Sequence, residues 1–170
     1  MTTPDPVRPD SERWDVVVAV ADTFLDDVSA EQIAALLSRV LEDEGVEEGS
    51  GLSIEIADDD LLHELNREHR GVDGPTDVLS FAAEEGEAFP SAPGEPRYLG
   101  DIAVSVETVR RNAVEAGLTT AQEIDHVLVH GLLHLLGYDH ETDEDEAAMR
   151  AREEGYLGAA IHASGVRHDD

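Results

Sequence analysis

Apolar and polar positions along this chain recur with two periods, and each change of period marks an element. Trp14-Asp15-Val16-Val17-Val18-Ala19-Val20 is a β-branched run that predicts a strand. Ser29 with Gln32 three residues on is a capping-box signature, and Ile33, Leu36, Leu37, Val40 and Leu41 then recur at helical spacing up to a stop near Gly45. Leu52-Ser53-Ile54-Glu55-Ile56 alternates like a half-buried strand. Asp58 to Asp60 can cap a following helix that carries Leu61, Leu62 and Leu65, so this acidic run reads as a cap rather than a metal site. Beyond a Gly/Pro turn, Val78 to Phe81 predicts a short strand, and Gly100 to Ser105 another. Ser105 starts a helix through Arg110 and Arg111 to Gly117, and Thr119 or Thr120 caps the next, completed by Gln122 or Glu123. That helix is anchored by Ile124, Val127, Leu128, Leu132, Leu135 and Leu136, and a last helix is expected from Asp143 toward Ile161.

Length and composition add limits to this pattern. A chain of 170 residues with 41% hydrophobic content is expected to form one domain with a real core. Residues 1–12 read as a disordered arm, 165–170 as a disordered tail, and Glu84 to Arg97, rich in Pro, Gly and Glu, as a loop between two strands. There are no cysteines and hence no disulfides, in keeping with a reducing cytoplasm. The apolar run Val16 to Ala21 is too short for a signal peptide core or a membrane span, so no membrane association is expected.

Charge is the anomaly. Forty acidic residues stand against 11 basic ones, all arginine, for a formal net charge of −29. Such a surface repels nucleic acid at long range unless arginines gather at one place. Surface adaptation to high salt and a genome favouring arginine codons both account for the bias.

The candidate chemistry lies between His126 and His140, where four of the eight histidines fall. His130 and His134 are four apart, which places them one turn above the other on one helix face, close enough to share an ion. Gly137 can end the helix in the left-handed conformation, and the turn through Tyr138 and Asp139 can return His140 to the same point. Three imidazoles with an open fourth position form a catalytic rather than a closed structural metal site, with zinc as the first candidate. His126 extends the row, but on a helix it lies about 12 Å from His134 along the axis, so all three cannot bind one ion. It is therefore expected to support a ligand or to face phosphate. Asp139 is expected either to orient a ligating imidazole or simply to form the turn.

A second informative stretch runs Asn66-Arg67-Glu68-His69-Arg70-Gly71 and on through Pro75-Thr76-Asp77-Val78-Leu79-Ser80-Phe81. An arginine at such a helix end either caps carbonyls or takes a phosphate in bidentate fashion.

These blocks together resemble the YbeY family of rRNA maturation endoribonucleases. The resemblance rests on His126 to His140 with its Leu-His-Leu-Leu-Gly-Tyr-Asp-His ending, on Asn66-Arg67-Glu68, Arg70-Gly71, Pro75 to Phe81, and Gly100-Asp101-Ile102, all in the family's order. It spans the chain from the first strand to Glu154 and implies one α/β (α+β) domain over residues 13–164, a mainly parallel four-stranded sheet with about five surrounding helices. It implies one divalent metal on His130, His134 and His140, with Arg70 as the catalytic arginine. The implied activity is metal-dependent cleavage of single-stranded RNA, in maturation of the small-subunit rRNA 3′ end and in ribosome quality control. The small ribosomal subunit and an assembly GTPase are the implied partners. Two positions depart from the family pattern, Ala82 where proline is usual and His69 where tyrosine is common.

The scarcity of Lys and Arg implies weak binding to free RNA, with Arg67, Arg70, Arg97, Arg110 and Arg111 as candidates for a local basic patch. The attacking group is left open between a metal-activated water and the ribose 2′-hydroxyl. Two rivals compete. His130, His134, Gly137 and His140 have the spacing of the metzincin peptidases, with Met149 in the place of their methionine turn. Those enzymes carry a general-base glutamate where this chain has Gly131, which has no side chain to activate water, and Met149 reads as a core residue. The other rival is a ribosome assembly factor that holds metal for stability only, and the charge deficit favours it.

Overall fold

The computed structural model describes residues 14–26, 28–82, 98–138 and 142–158. The predicted arm, the loop 84–97 and the tail fall outside these residues, as do His140, Asp139 and Arg97. Four strands form one sheet: β1 (Asp15–Val20), β2 (Gly51–Ala57), β3 (Val78–Ala82) and β4 (Tyr98–Ser105), in the order β1-β2-β4-β3. β1 and β4 run parallel to β2, while β3 is an antiparallel edge strand on β4. The helices are α1 (Ala30–Asp43), α2 (Asp59–Arg70), α3 (Val106–Ala116), α4 (Thr120–Leu135) and α5 (Asp143–Leu157).

Local chemistry starts each helix. Ser29, Asp58, Ser105 and Thr119 accept hydrogen bonds from the backbone N–H groups of Gln32, Leu61, Thr108 and Gln122, so four free donors at helix starts are satisfied by their own sequence neighbours. Thr119 and Gln122 close a full capping box. The last helix stops at Leu157, short of the expected Ile161, because Gly158 takes a positive φ of 93° and ends it. β4 begins two residues earlier than its sequence pattern, at Tyr98.

The sheet has two apolar faces, covered unequally. Val16, Val18, Leu52, Ile54, Ile102 and Val104 join the core that also takes in Leu37 and Leu41 of α1 and Val127, Leu128 and Leu132 of α4. A smaller cluster of Ala57, Leu62, Leu79 and Ala103, with Leu65 and Phe81, seats α2 separately. α4 meets α1, α3, α5, β3 and β4 and is buried almost continuously from Glu123 to Leu133. A helix enclosed on nearly all sides needs apolar residues nearly all round. The polar residues it does bury, Glu123, His126 and His130, therefore call for partners.

Candidate metal centre

The partners come from α5. Met149 and Glu153 lie four apart on the one face this helix buries, Met149 in the core and Glu153 only 3% exposed. Met149 is thus the core residue that its spacing predicts. Glu153 Oε2 accepts from Nδ1 of His130 at 2.9 Å, and its Oε1 accepts from Nε2 of His126 at 2.9 Å. His126 Nδ1 in turn donates to Glu123 Oε1 at 3.0 Å. Burial alone would raise the Glu153 carboxyl, but its hydrogen bonds to His126 and His130 outweigh that and hold it well below the usual carboxylate range.

His126 is 3% exposed and has a carboxylate on each ring nitrogen, so it does not present itself to solvent where a phosphate would bind. His134 is exposed, one turn beyond His130 in the last turn of α4. Two of the three predicted ligands thus stand on one stretch of helix, and the third, His140, lies outside the described residues. Among the described residues no group of three or more His, Asp or Glu side chains is disposed around a common point. The donor chemistry nevertheless fits a metal ligand. A ligating histidine ordinarily gives its second ring N–H to a carboxylate, and the His130–Glu153 contact has that form, in which Nε2 would be the nitrogen that ligates.

Gly131 has a packing reason of its own. A Cβ at this position would stand 2.9 Å from Ser80 Oγ and 3.3 Å from Ile102 Cδ1, so α4 lies directly on β3 and β4 here. A glutamate, as the metzincin arrangement requires, has no room without displacing this contact. At the end of the helix Gly137 adopts φ 107°, the positive value the spacing predicts, and the Tyr138 hydroxyl donates to Glu44 at 2.8 Å. Arg152 Nε donates to the Tyr138 oxygen at 3.1 Å, so the turn after α4 is tied to both α1 and α5.

The predicted arginine stands at the end of α2. Arg70 is exposed and is the last residue of that helix, followed by Gly71 at φ 70°. Asn66 shapes the loop that follows: its backbone carbonyl receives the N–H of Gly71 and Val72, and its side-chain amide donates to Gly74 O at 2.9 Å. Asp77, nearly buried, accepts from the Val78 N–H at 2.8 Å and from the Asn112 amide at 3.5 Å. The His69 ring packs on Phe81 with centroids 5.0 Å apart, filling the place where the family pattern has tyrosine. Phe81 O and Leu135 Cδ2 would lie 2.3 and 3.1 Å from a Cβ on Gly100, so both flank the start of β4. The C-terminal ends of α2 and α4 therefore reach one border of the sheet from opposite faces.

The other arginines divide. Arg67 is exposed one turn before Arg70. Arg111 pairs with Asp59 at 3.0 Å, at the opposite end of a 12-residue helix and so about 16 Å from Arg70 along its axis. Arg110 lies over the Phe24 ring at 5.6 Å. The structure does not gather these two with Arg67 and Arg70, and Arg97 lies outside the described residues.

Sequence reasoning did not find Glu153, Glu44 or the loop-shaping role of Asn66. Glu153 alone left a signal, an acidic residue one turn from the core methionine on the same helix face.

Comparison with known proteins adds independent findings. Residues 20–160 match the family described as Endoribonuclease YbeY. The chain is 51% identical over 148 residues to Endoribonuclease YbeY of Chloroflexus aggregans, covering 86% of this chain and 95% of that protein. It is 46% identical over 145 residues to the protein of the same name from Roseiflexus castenholzii, covering 85% and 91%. Its fold is similar to the solution structure of TM1509 from Thermotoga maritima, with TM-score 0.55 and 26% identity over 89% of this chain and 91% of that one. No described helix is long and apolar enough to cross a membrane.

Proposed function

Because this chain belongs to the endoribonuclease YbeY family, we propose that it is a single-strand-specific endoribonuclease acting in 3′-end maturation of small-subunit rRNA and in ribosome quality control. His130, His134 and His140 would hold one divalent cation, zinc first, and Arg70 would bind the scissile phosphate. The observation that carries this reading is the His130–Glu153 hydrogen bond of 2.9 Å, the carboxylate contact that a ligating imidazole ordinarily makes through its second nitrogen. A cation held there supplies Lewis-acid activation of the attacking oxygen and the phosphoryl group. The chain's own residues do the rest. The buried carboxylate keeps the imidazole in one orientation, and the Arg70 guanidinium, free to swing at an exposed helix end, meets negative charge as it develops on the phosphate. Arg67, exposed one turn earlier, would extend that contact along an RNA backbone.

With a formal net charge of −29, affinity for free RNA is low, and docking on the small ribosomal subunit, with an assembly GTPase, supplies the remainder. The site of action in this reading is the cytoplasm. The same charge favours a second reading, a non-catalytic assembly factor that uses its metal for stability.

One experiment separates the two. Cleavage of a single-stranded RNA is measured for wild type, His134→Ala and Arg70→Glu at low and high salt, with elemental analysis of each purified protein. Loss of cleavage in His134→Ala, and a loss of about 100-fold or more in Arg70→Glu with metal retained, is expected. Equal residual cleavage by all three would mark a contaminating nuclease and leave the assembly-factor reading.

A further inference from the structure

Between α4 and α5 the chain buries four ionisable side chains in one row: Glu123 at 1% exposure, His126 at 3%, Glu153 at 3% and His130 at 7%. Two carboxylates inside a core are tolerated only when opposite charge and hydrogen bonds meet them. Ionised carboxylates accept and cannot donate, so a ring nitrogen facing one must carry the proton. His126 faces Glu123 with Nδ1 at 3.0 Å and Glu153 with Nε2 at 2.9 Å, so with both carboxyls ionised both its nitrogens would carry protons and the ring would be a cation between two anions. His130 faces Glu153 with Nδ1 at 2.9 Å, so that nitrogen carries the proton, and in a neutral ring the lone pair is then on Nε2.

We propose that Glu153 is a positioning residue that locks His130 in its Nδ1-protonated tautomer with Nε2 presented as a metal ligand, and that the Glu123–His126 pair keeps Glu153 ionised and aimed. The proposal rests on the metal-centre reading above. It divides the helical ladder of histidines by role: His130 and His134 face the metal, whereas His126 never does. It also gives α5 a part in the site although no residue of that helix is a ligand. The row runs inward from the ligand, so each member acts through the next, and removing the innermost one should be felt at the outermost.

The test uses the full chain, stripped of metal and then titrated with zinc alone against a chromophoric chelator, with circular dichroism to establish folding. In the zinc-free protein, long-range proton–nitrogen spectra of the imidazoles are expected to show His130 protonated on Nδ1 only and His126 on both nitrogens. Glu153→Gln is expected to bind zinc about 10- to 100-fold more weakly while folded. His126→Gln should weaken zinc in the same direction, and the double variant should be no weaker than Glu153→Gln, since both act along one row. Should Glu153→Gln fail to fold, Glu123→Gln and the wild-type spectra decide. Wild-type zinc affinity in folded Glu153→Gln, or His130 protonated on Nε2 in the zinc-free wild type, would overturn the proposal. If wild type takes up no zinc although both tautomers are as expected, the metal-centre reading fails, and the role of Glu153 toward a metal goes with it. Zinc uptake by wild type that Glu153→Gln leaves unchanged removes the proposal alone.

Discussion

The C-terminal ends of α2 and α4 reach the same border of the sheet, yet they are built in opposite ways. α4 delivers His130 from inside the core, with its imidazole fixed by Glu153 of another helix and backed by His126 and Glu123. α2 delivers Arg70 into solvent, on a helix seated by the smaller apolar cluster and followed by a loop that the Asn66 side chain holds at Gly74. The contrast suits the two tasks proposed for these residues. A metal ligand must be held within fractions of an ångström, which takes buried contacts on more than one element. A phosphate-binding guanidinium gains from reach, and its charge is best kept solvated until substrate arrives.

Removing the inner support should have the largest effect. Glu153→Ala leaves two buried histidines facing an empty place and is expected to lower unfolding free energy by about 3–5 kcal/mol in urea denaturation. Arg70→Ala, on the exposed side, should stay within about 0.5 kcal/mol of wild type by the same measurement. Similar losses in both would mean that the two sides are not built differently.

A smaller effect is expected where α4 rests on β3. Gly131→Ala places a methyl group 2.9 Å from Ser80 Oγ and should cost about 1–3 kcal/mol. Among the described residues, Ser80 Oγ has no hydrogen-bond partner, so Ser80→Ala should be nearly neutral alone and should recover part of the Gly131→Ala loss in the double variant. A double variant as unstable as Gly131→Ala would show that the contact with Ile102 dominates instead.

Smaller again is Tyr138→Phe, which removes the hydroxyl shared with Glu44 and Arg152. A loss of about 0.5–1.5 kcal/mol is expected, together with weaker zinc binding, since this turn leads to His140. Unchanged zinc affinity would confine Tyr138 to a structural role.

A last effect depends on pH. Burial pushes the half-buried Asp125 carboxyl from its ordinary 3.8 up to about 6. The folded state therefore holds this proton more tightly than the unfolded chain, and stability falls as pH rises from about 4 to about 6. Asp125→Asn removes that loss. Its melting temperature should equal that of wild type near pH 3.5, rise above it between pH 4 and 6, and hold a constant lead beyond. A lead that is the same at every pH would show that the carboxyl is not protonated on folding.

How much of this was legible in the chain depends on how far apart the interacting residues lie. Caps at Ser29, Asp58, Ser105 and Thr119 were readable because an N-cap side chain bonds a backbone group only two or three residues away. The same holds for His130 and His134, whose common face follows from helix geometry alone. Nothing local announces where Arg111 stands, because its partner, Asp59, is 52 positions away. The unusual burial of α4 left only an apolar composition as a trace, since a helix covered from several directions loses the one-sided pattern that reveals an orientation.

The sequence by itself determined the elements, their caps, the family and the pair of helical histidines, because each depends on contacts within a few residues or on a motif read in order. The packing of the helices alone sets the surroundings of each histidine: His126 lies between two carboxyl groups, whereas His130 meets Glu153 with Nδ1. His126 and His130 are equivalent by spacing, and what distinguishes them is a carboxylate 27 and 23 positions away that the packing of α5 on α4 brings to 2.9 Å from each. It likewise decided why residue 131 is glycine: the missing side chain lets the helix lie directly on β3, a reason that no periodicity contains.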